Sequence, residues 1–357
     1  MNVLLIEDEP DYIERVKDGG LTGDISIISP SDVKLHEPFD ENSAIEDQLL
    51  ARFNAICVDR SIDIVLLDSD LSRIHTGITQ SACREVFQTL GVPVCRYSKK
   101  HSATPSRDLL NLSTQAREGS SAVLVKTSIA QNPESQLLPW LKAVYEGFAQ
   151  IRQALENGTL SQGARRGPAG ILAGILGAPS STADFQGYTA QNLFFFGGHS
   201  GSDNSAATPQ QLSTRLGYWL LNYILQFPGP ILTRPAAAAF LNLTLESFDK
   251  EPIQRLIAST KYDGPFAKTQ ELYWRDLIGK IIDEADGDIA NHKSLVGQNL
   301  QRVDADNPGS SAFVCVLTHK PISERNAAPA PDWIPAGAQL ARIETSIFDQ
   351  LGPLLNI

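Results

Sequence analysis

Ser61-Ile62-Asp63-Ile64-Val65-Leu66-Leu67-Asp68-Ser69-Asp70-Leu71-Ser72 is the stretch that decides the fold. From Ile62 to Leu67 only Asp63 is polar, so the run reads as a strand buried on both faces. A central parallel strand needs such a run, because helices cover both sides of its sheet. Asp68 stands where the apolar run stops. In open parallel sheets chemistry gathers beyond the carboxyl ends of the strands, so Asp68 is placed to be an active carboxylate.

Outward from this strand, the first 157 residues repeat one pattern. Asn2 to Ile6 reads as a short buried strand followed by Glu7-Asp8-Glu9 and by Pro10, a good first residue for a helix. That helix runs through Ile13 and Val16 to Gly19-Gly20. A second strand is expected at Asp24 to Ser29. Ile45, Leu49, Leu50, Phe53, Ile56 and Cys57 recur at helical spacing before the Asp68 strand. Ser81 to Leu90 is a helix, Val92 to Tyr97 a fourth strand and Ala122 to Val125 a fifth, ending at Lys126. Pro133 to Glu156 is a long amphipathic helix. Five β-α repeats predict a doubly wound parallel sheet of five strands.

The residues after the strands form a chemical set: Glu7 and Asp8, then Asp68, then Ser98, then Lys126. Neighbouring carboxylates raise each other's pKa unless a cation intervenes. Mg²⁺ binds through a few carboxylates and water. A hydroxyl and an ammonium opposite them suit phosphoryl oxygens, so the set describes aspartyl-phosphate chemistry.

These residues resemble a response-regulator receiver domain, over about residues 1–150. The resemblance rests on the acidic pair Glu7 and Asp8, the Asp68-x-x-Leu71 motif, Pro93-Val94-x-x-x-Ser98, and Lys126. It implies a flavodoxin-like receiver fold in which Asp68 accepts a phosphoryl group from a histidine kinase. It further implies that Glu7, Asp8, Asp68 and the backbone carbonyl of Asp70 hold Mg²⁺, with Ser98 and Lys126 on the phosphoryl oxygens. A homodimer through the receiver is a candidate assembly. The sequence departs from the family at Thr127, where proline is usual, at Val123, near the usual switch aromatic, and at Ser72. The connections before Asp68 and between Ser98 and Lys126 are longer than usual.

Length and charge set the frame. The 357 residues suggest two domains, with a Gly-rich linker expected at 158–170. Residues 1–157 hold 15 Lys and Arg against 23 Asp and Glu, and the remainder 15 against 18. Neither part is a basic surface, so nucleic acid is not an expected partner. The sequence predicts no membrane span, and the acidic start is not a signal peptide. Four scattered cysteines are expected to be reduced thiols of a cytoplasmic protein.

The remainder, 171–357, resembles no family. Helical stripes are expected at about 209–285, including one from Gln270 to Ile282, within a mainly helical α+β output domain. Phe313 to Leu317 and Ala338 to Ile343 read as strands, and Thr345 to Leu351 as a closing helix. Gly197-Gly198-His199-Ser200-Gly201-Ser202-Asp203 comes one residue short of a nucleophile elbow around Ser200, with His292 or His319 as the candidate base. Cys315 and His319 have half of a zinc spacing without a second pair. The expected function is two-component signalling through Asp68, with the output acting on an unknown protein partner. The alternatives are an unphosphorylated receiver-like scaffold and an enzymatic output centred on residues 197–203.

Overall fold

The computed structural model describes residues 1–20, 24–40, 43–71, 74, 78–99, 104–157, 167–178, 181–188, 196 and 207–352. Its first sheet is built from β1 (Asn2–Ile6), β2 (Ser26–Ile28), β3 (Ile64–Asp68), β4 (Val94–Tyr97) and β5 (Val123–Leu124), in the order β2-β1-β3-β4-β5. Every pairing is parallel. All five residues of β3 are buried, and so are Val3 to Ile6 of β1. This is why both strands lack the apolar–polar alternation of a half-exposed sheet. Each such aliphatic side chain contributes roughly 1.5–3 kcal/mol on leaving water.

The connections carry α1 (Pro10–Gly20), α2 (Ile45–Asp59), α3 (Gln80–Leu90), α4 (Pro105–Glu118), α5 (Thr127–Ala130) and α6 (Leu138–Glu156). One buried cluster joins Leu4 and Ile6 of β1, Val65 and Leu67 of β3, Phe53 of α2 and Phe87 of α3. The Phe53 and Phe87 ring centroids are 4.6 Å apart. Helix α3 shows how the local sequence sets its limits. The Thr79 hydroxyl accepts the Ala82 N–H, and Gly91 closes the helix with φ of 71°, a conformation that suits glycine. The long helix expected from Pro133 is broken at its start, because Pro139 has no N–H to give. Residues Pro133–Leu137 wind wider, and the Leu138 N–H reaches the Pro133 carbonyl.

The chain forms two compact units that interleave along the sequence. The first comprises Met1–Ala103, Glu118–Ser161 and Phe195–Asn222; the second comprises Thr104–Arg117, Gln162–Phe194 and Tyr223–Ile357. The expected single boundary at 158–170 therefore gives way to exchanged segments. Residues 158–166 lie outside the described residues, and the last four of the expected linker, 167–170, begin a helix that runs from Gly167 to Ile175.

The Pro209–Trp219 helix belongs to the first unit because it supplies that unit's missing partners. Gln211 Nε2 donates to the Thr89 carbonyl at 2.7 Å, and Thr214 Oγ1 to the Gly91 carbonyl at 2.6 Å. The Val94 N–H donates to the Tyr218 hydroxyl at 2.7 Å. Asn222 Nδ2 donates to the carbonyls of Gly119 and Ala122 at 2.6 and 2.9 Å. A side chain at Gly217 would drive its Cβ into the Phe148 ring, so the close approach of this helix to α6 requires glycine.

In the second unit, β6 (Ile231–Thr233) and β7 (Leu272–Trp274) pair antiparallel. Both correct the sequence reading. Ile231–Thr233 was not anticipated, and Leu272–Trp274 was expected to be helical as part of 270–282. Tyr273 fits either pattern, and its pairing with Leu232 decides the matter. A helix follows only from Arg275 to Asp283. The helices Arg234–Phe240, Leu245–Phe248 and Glu251–Ile257 lie between the two strands. A four-stranded sheet in the order β10-β11-β8-β9 joins Phe313–Cys315 (β8), Pro321–Ile322 (β9), Ala327–Ala328 (β10) and Ala341–Glu344 (β11). Helix Thr345–Leu351 follows β11, as the sequence predicts. Its core packs Ala236–Ala239, Phe248, Tyr273, Ile278 and Val314.

Candidate functional site

Parallel register assembles the site. Ile6 pairs with Leu67 across β1 and β3, so Glu7, one step on, leaves the sheet beside Asp68. Asp68 in turn pairs with Tyr97 across β3 and β4. The chain runs from β1 to β2 on one side and to β3 on the other, so the carboxylates stand where the strand order reverses. Sheets of this kind leave a crevice at that point, because the flanking connections diverge.

Glu7 is fully buried, and Asp68 is 2% exposed. Glu7 Oε1 accepts the N–H groups of Asp8 and Glu9, each at 2.9 Å. Glu7 Oε2 accepts the Tyr97 hydroxyl and, at 2.7 Å, the Lys99 ammonium. That ammonium also lies 2.9 Å from Glu9 and 3.3 Å from Asp68, with the Lys99 side chain 12% exposed. It sits 4.6 Å from the centroid of the Tyr12 ring, which stacks on Tyr97 at 5.4 Å. Both tyrosines are fixed at their hydroxyls, since Tyr12 donates to the Ala130 carbonyl at 2.7 Å.

The ionisation of the site follows from this packing. Burial first, and then the neighbouring Glu7 charge, push the Asp68 carboxyl up to about 6, against the pull of Lys99 and the Asp70 N–H. Burial also works against the Lys99 charge, but its hydrogen bonds to Glu7 and Glu9 outweigh that and raise its pKa. Burial and the adjacent Glu7 hold the Tyr97 phenol well above its ordinary range.

Oxygens of Glu7, Asp8 and Asp68 lie within 4.8 Å of one another, and these three could hold a metal ion. The donor set fits a hard cation, which prefers carboxylate oxygen. Charge fits as well, because the one ammonium of Lys99 faces the carboxylates of Glu7, Glu9 and Asp68, with Asp8 beside them. The hydrogen bonds already made at Glu7 mean that a cation there competes with Lys99 for the same oxygen.

The structure thus brings Glu7, Asp8 and Asp68 together. Asp70 is exposed, with its backbone N–H directed to Asp68. Ser98 directly follows β4 and is half-buried. Lys126 leaves β5 at the same end of the sheet, beside the end of β4, but its side chain is exposed, it precedes α5, and it has no ion-pair partner among the described residues. Sequence reasoning missed Lys99, Tyr97, Tyr12 and Glu9. A signal for the first two was present, since Tyr97-Ser98-Lys99 is the polar exit of a strand adjacent to β3.

Of the other candidates, Phe196 is described while 197–203, with His199 and Ser200, lie outside the described residues. Cys315 is buried, and its sulfur accepts the Glu344 N–H at 3.4 Å. Neither Cys315 nor His319 joins a cluster of metal-ligand atoms among the described residues. All four cysteines are free thiols. No helix among the described residues is long and apolar enough to cross a membrane. No family model matches the chain, and neither a curated protein nor a solved structure matches it.

Proposed function

We propose that the first unit is a flavodoxin-like, receiver-type phosphoacceptor of two-component signalling, with Asp68 as the residue modified. The observation that carries this reading is the cluster of Glu7, Asp8 and Asp68 at the reversal point of a β2-β1-β3-β4-β5 parallel sheet. An Asp68 oxygen attacks the phosphorus of a phosphohistidine. The new O–P bond forms as the P–N bond breaks, and the imidazole leaves with the electron pair. Glu7, Asp8, Asp68 and the Asp70 carbonyl would hold Mg²⁺, which would supply positive charge to offset that on the transferring group. Ser98 donates to a phosphoryl oxygen. The signal passes to the second unit's protein partner in the cytoplasm. Nucleic acid is not the partner proposed, because Arg234, Arg255 and Lys261 in that unit each face a carboxylate.

The test is labelling by acetyl phosphate with Mg²⁺, followed by mass spectrometry. Wild type should gain one phosphoryl group at Asp68, and Asp68→Asn should gain none. Equal labelling of both proteins removes Asp68 from the role.

A second reading has its own observation. Lys99 already bridges Glu7, Glu9 and Asp68, which is what an unphosphorylated receiver-like scaffold would use to neutralise its buried acids. Absence of labelling, with folding and Mg²⁺ binding intact, favours that scaffold.

A further inference from the structure

Resting on the phosphoacceptor reading above, we infer that Lys99, at the exit of β4, is the catalytic ammonium that binds the phosphoryl group on Asp68, in place of Lys126 at the exit of β5.

Position comes first. Asp68 is paired in register with Tyr97, and Lys99 is two residues beyond Tyr97 on the neighbouring strand. Its ammonium is 3.3 Å from an Asp68 oxygen, already within reach of whatever is bonded there. It is also anchored along its length. The Lys99 carbonyl accepts Gln131 Nε2 at 3.1 Å, the side chain crosses the Tyr12 ring, and the head is held by Glu7 and Glu9. An ammonium fixed before the reaction stabilises developing phosphoryl charge without first having to be ordered. Lys126 has none of these features. Its backbone carbonyl accepts the N–H groups of Ile129 and Ala130 at the start of α5, and its side chain is exposed.

The arrangement gives Lys99 two opposed effects. It shares the Glu7 and Asp68 oxygens that a divalent cation needs, so it works against cation binding. It also supplies positive charge to the incoming phosphoryl oxygens, so it works for transfer. In the transfer from acetyl phosphate, the Asp68 carboxylate attacks phosphorus and the bond from phosphorus to the acetyl oxygen breaks. Acetate leaves with the electron pair, and Lys99 stays protonated as its contacts pass from carboxylate to phosphoryl oxygen.

The experiment compares wild type, Lys99→Met, Lys99→Arg and Lys126→Met, each checked for folding by thermal melt. One readout is the rate of labelling by acetyl phosphate at saturating Mg²⁺. The other is Mg²⁺ affinity, titrated without a phosphodonor. Lys99→Met should label roughly 100-fold more slowly, the size expected for losing one charged stabiliser, while binding Mg²⁺ roughly fivefold more tightly. Lys99→Arg should recover part of the rate. Lys126→Met should match wild type within about twofold in both, since a solvent-exposed charge contributes little. Loss of labelling in Lys126→Met with Lys99→Met unchanged overturns the assignment. So does a parallel loss of labelling and Mg²⁺ binding in Lys99→Met, which is the mark of a merely structural residue. A wild type that binds Mg²⁺ but is never labelled overturns the phosphoacceptor reading itself. In that case, tighter Mg²⁺ binding by Lys99→Met still shows that the ammonium occupies the carboxylate site.

Discussion

The two units differ in how their most buried charges are matched. In the second, Arg234 with Asp249, Arg255 with Glu251, Lys261 with Glu271 and Arg325 with Asp306 pair one to one toward the surface, the more buried Arg302 has Asp288 to itself, and Arg275 lies near Asp184 and Asp276. In the first, one ammonium serves Glu7, Glu9 and Asp68 in a largely buried place. A matched exposed pair is electrostatically satisfied and contributes little to stability. A buried surplus of carboxylates destabilises the fold, and it persists where a cation or a reaction makes use of it. The contrast singles out the end of β3 as a site independently of any motif.

The contrast can be tested by stability. The largest effect is expected at Asp68. Its folded pKa of about 6 lies above the ordinary 3.8, so the folded protein holds this proton more tightly than the unfolded chain between those values. This group's stabilising contribution is therefore complete below about pH 4 and is lost as pH rises through 6, at a cost of about 3 kcal/mol. Asp68→Asn is neutral at every pH. In chelator it should be more stable than wild type by up to about 3 kcal/mol at pH 7.5 and nearly equal to it at pH 4, in urea melts. A destabilised Asp68→Asn at pH 7.5 would mean that Lys99 more than compensates the buried charge.

A smaller effect is expected where the first unit is neutral and fully bonded. Tyr218→Phe leaves the buried Val94 N–H without its acceptor and should cost about 1–3 kcal/mol. The same melts detect it, with no dependence on pH between 5 and 8. The smallest effect belongs to the second unit. Arg255→Ala removes an exposed pair one helical turn long and should shift stability by no more than about 0.5 kcal/mol. A loss above 1 kcal/mol there would erase the distinction between the units.

Much of the first sheet was legible because its strands are continuous apolar runs and each polar exit is abrupt. Glu7, Asp8 and Asp68 could be aligned from those exits alone. Lys99 was legible only as one residue of a polar exit, not as the one that matters. Ser98 drew attention one residue too early, and whether an ammonium turns back over the sheet depends on a backbone bend that periodicity does not encode. The Pro209–Trp219 helix shows a second limit. Leu216 and Trp219 announce a buried face, but an apolar stripe does not say whose core it enters. That was decided by the hydrogen bonds of Gln211, Thr214, Tyr218 and Asn222. The strands β6 and β7 were lost for a third reason: three residues are too few to show a period of two.

The interleaving of segments also has a consequence on the ribosome. The polypeptide of the five-stranded sheet is finished by residue 157, yet its β4 and β5 entrances are completed by side chains from 211 to 222. At roughly 5–20 residues per second, translation imposes a wait of about 3–13 s before those partners are made, and longer before they emerge. During that interval the nascent sheet presents the Gly91 carbonyl, the Val94 N–H and the surface that Leu216 and Trp219 later cover. Synthesis speed through residues 158–222 thus sets how long this half-clad intermediate is open to chaperones, or to a neighbouring nascent chain.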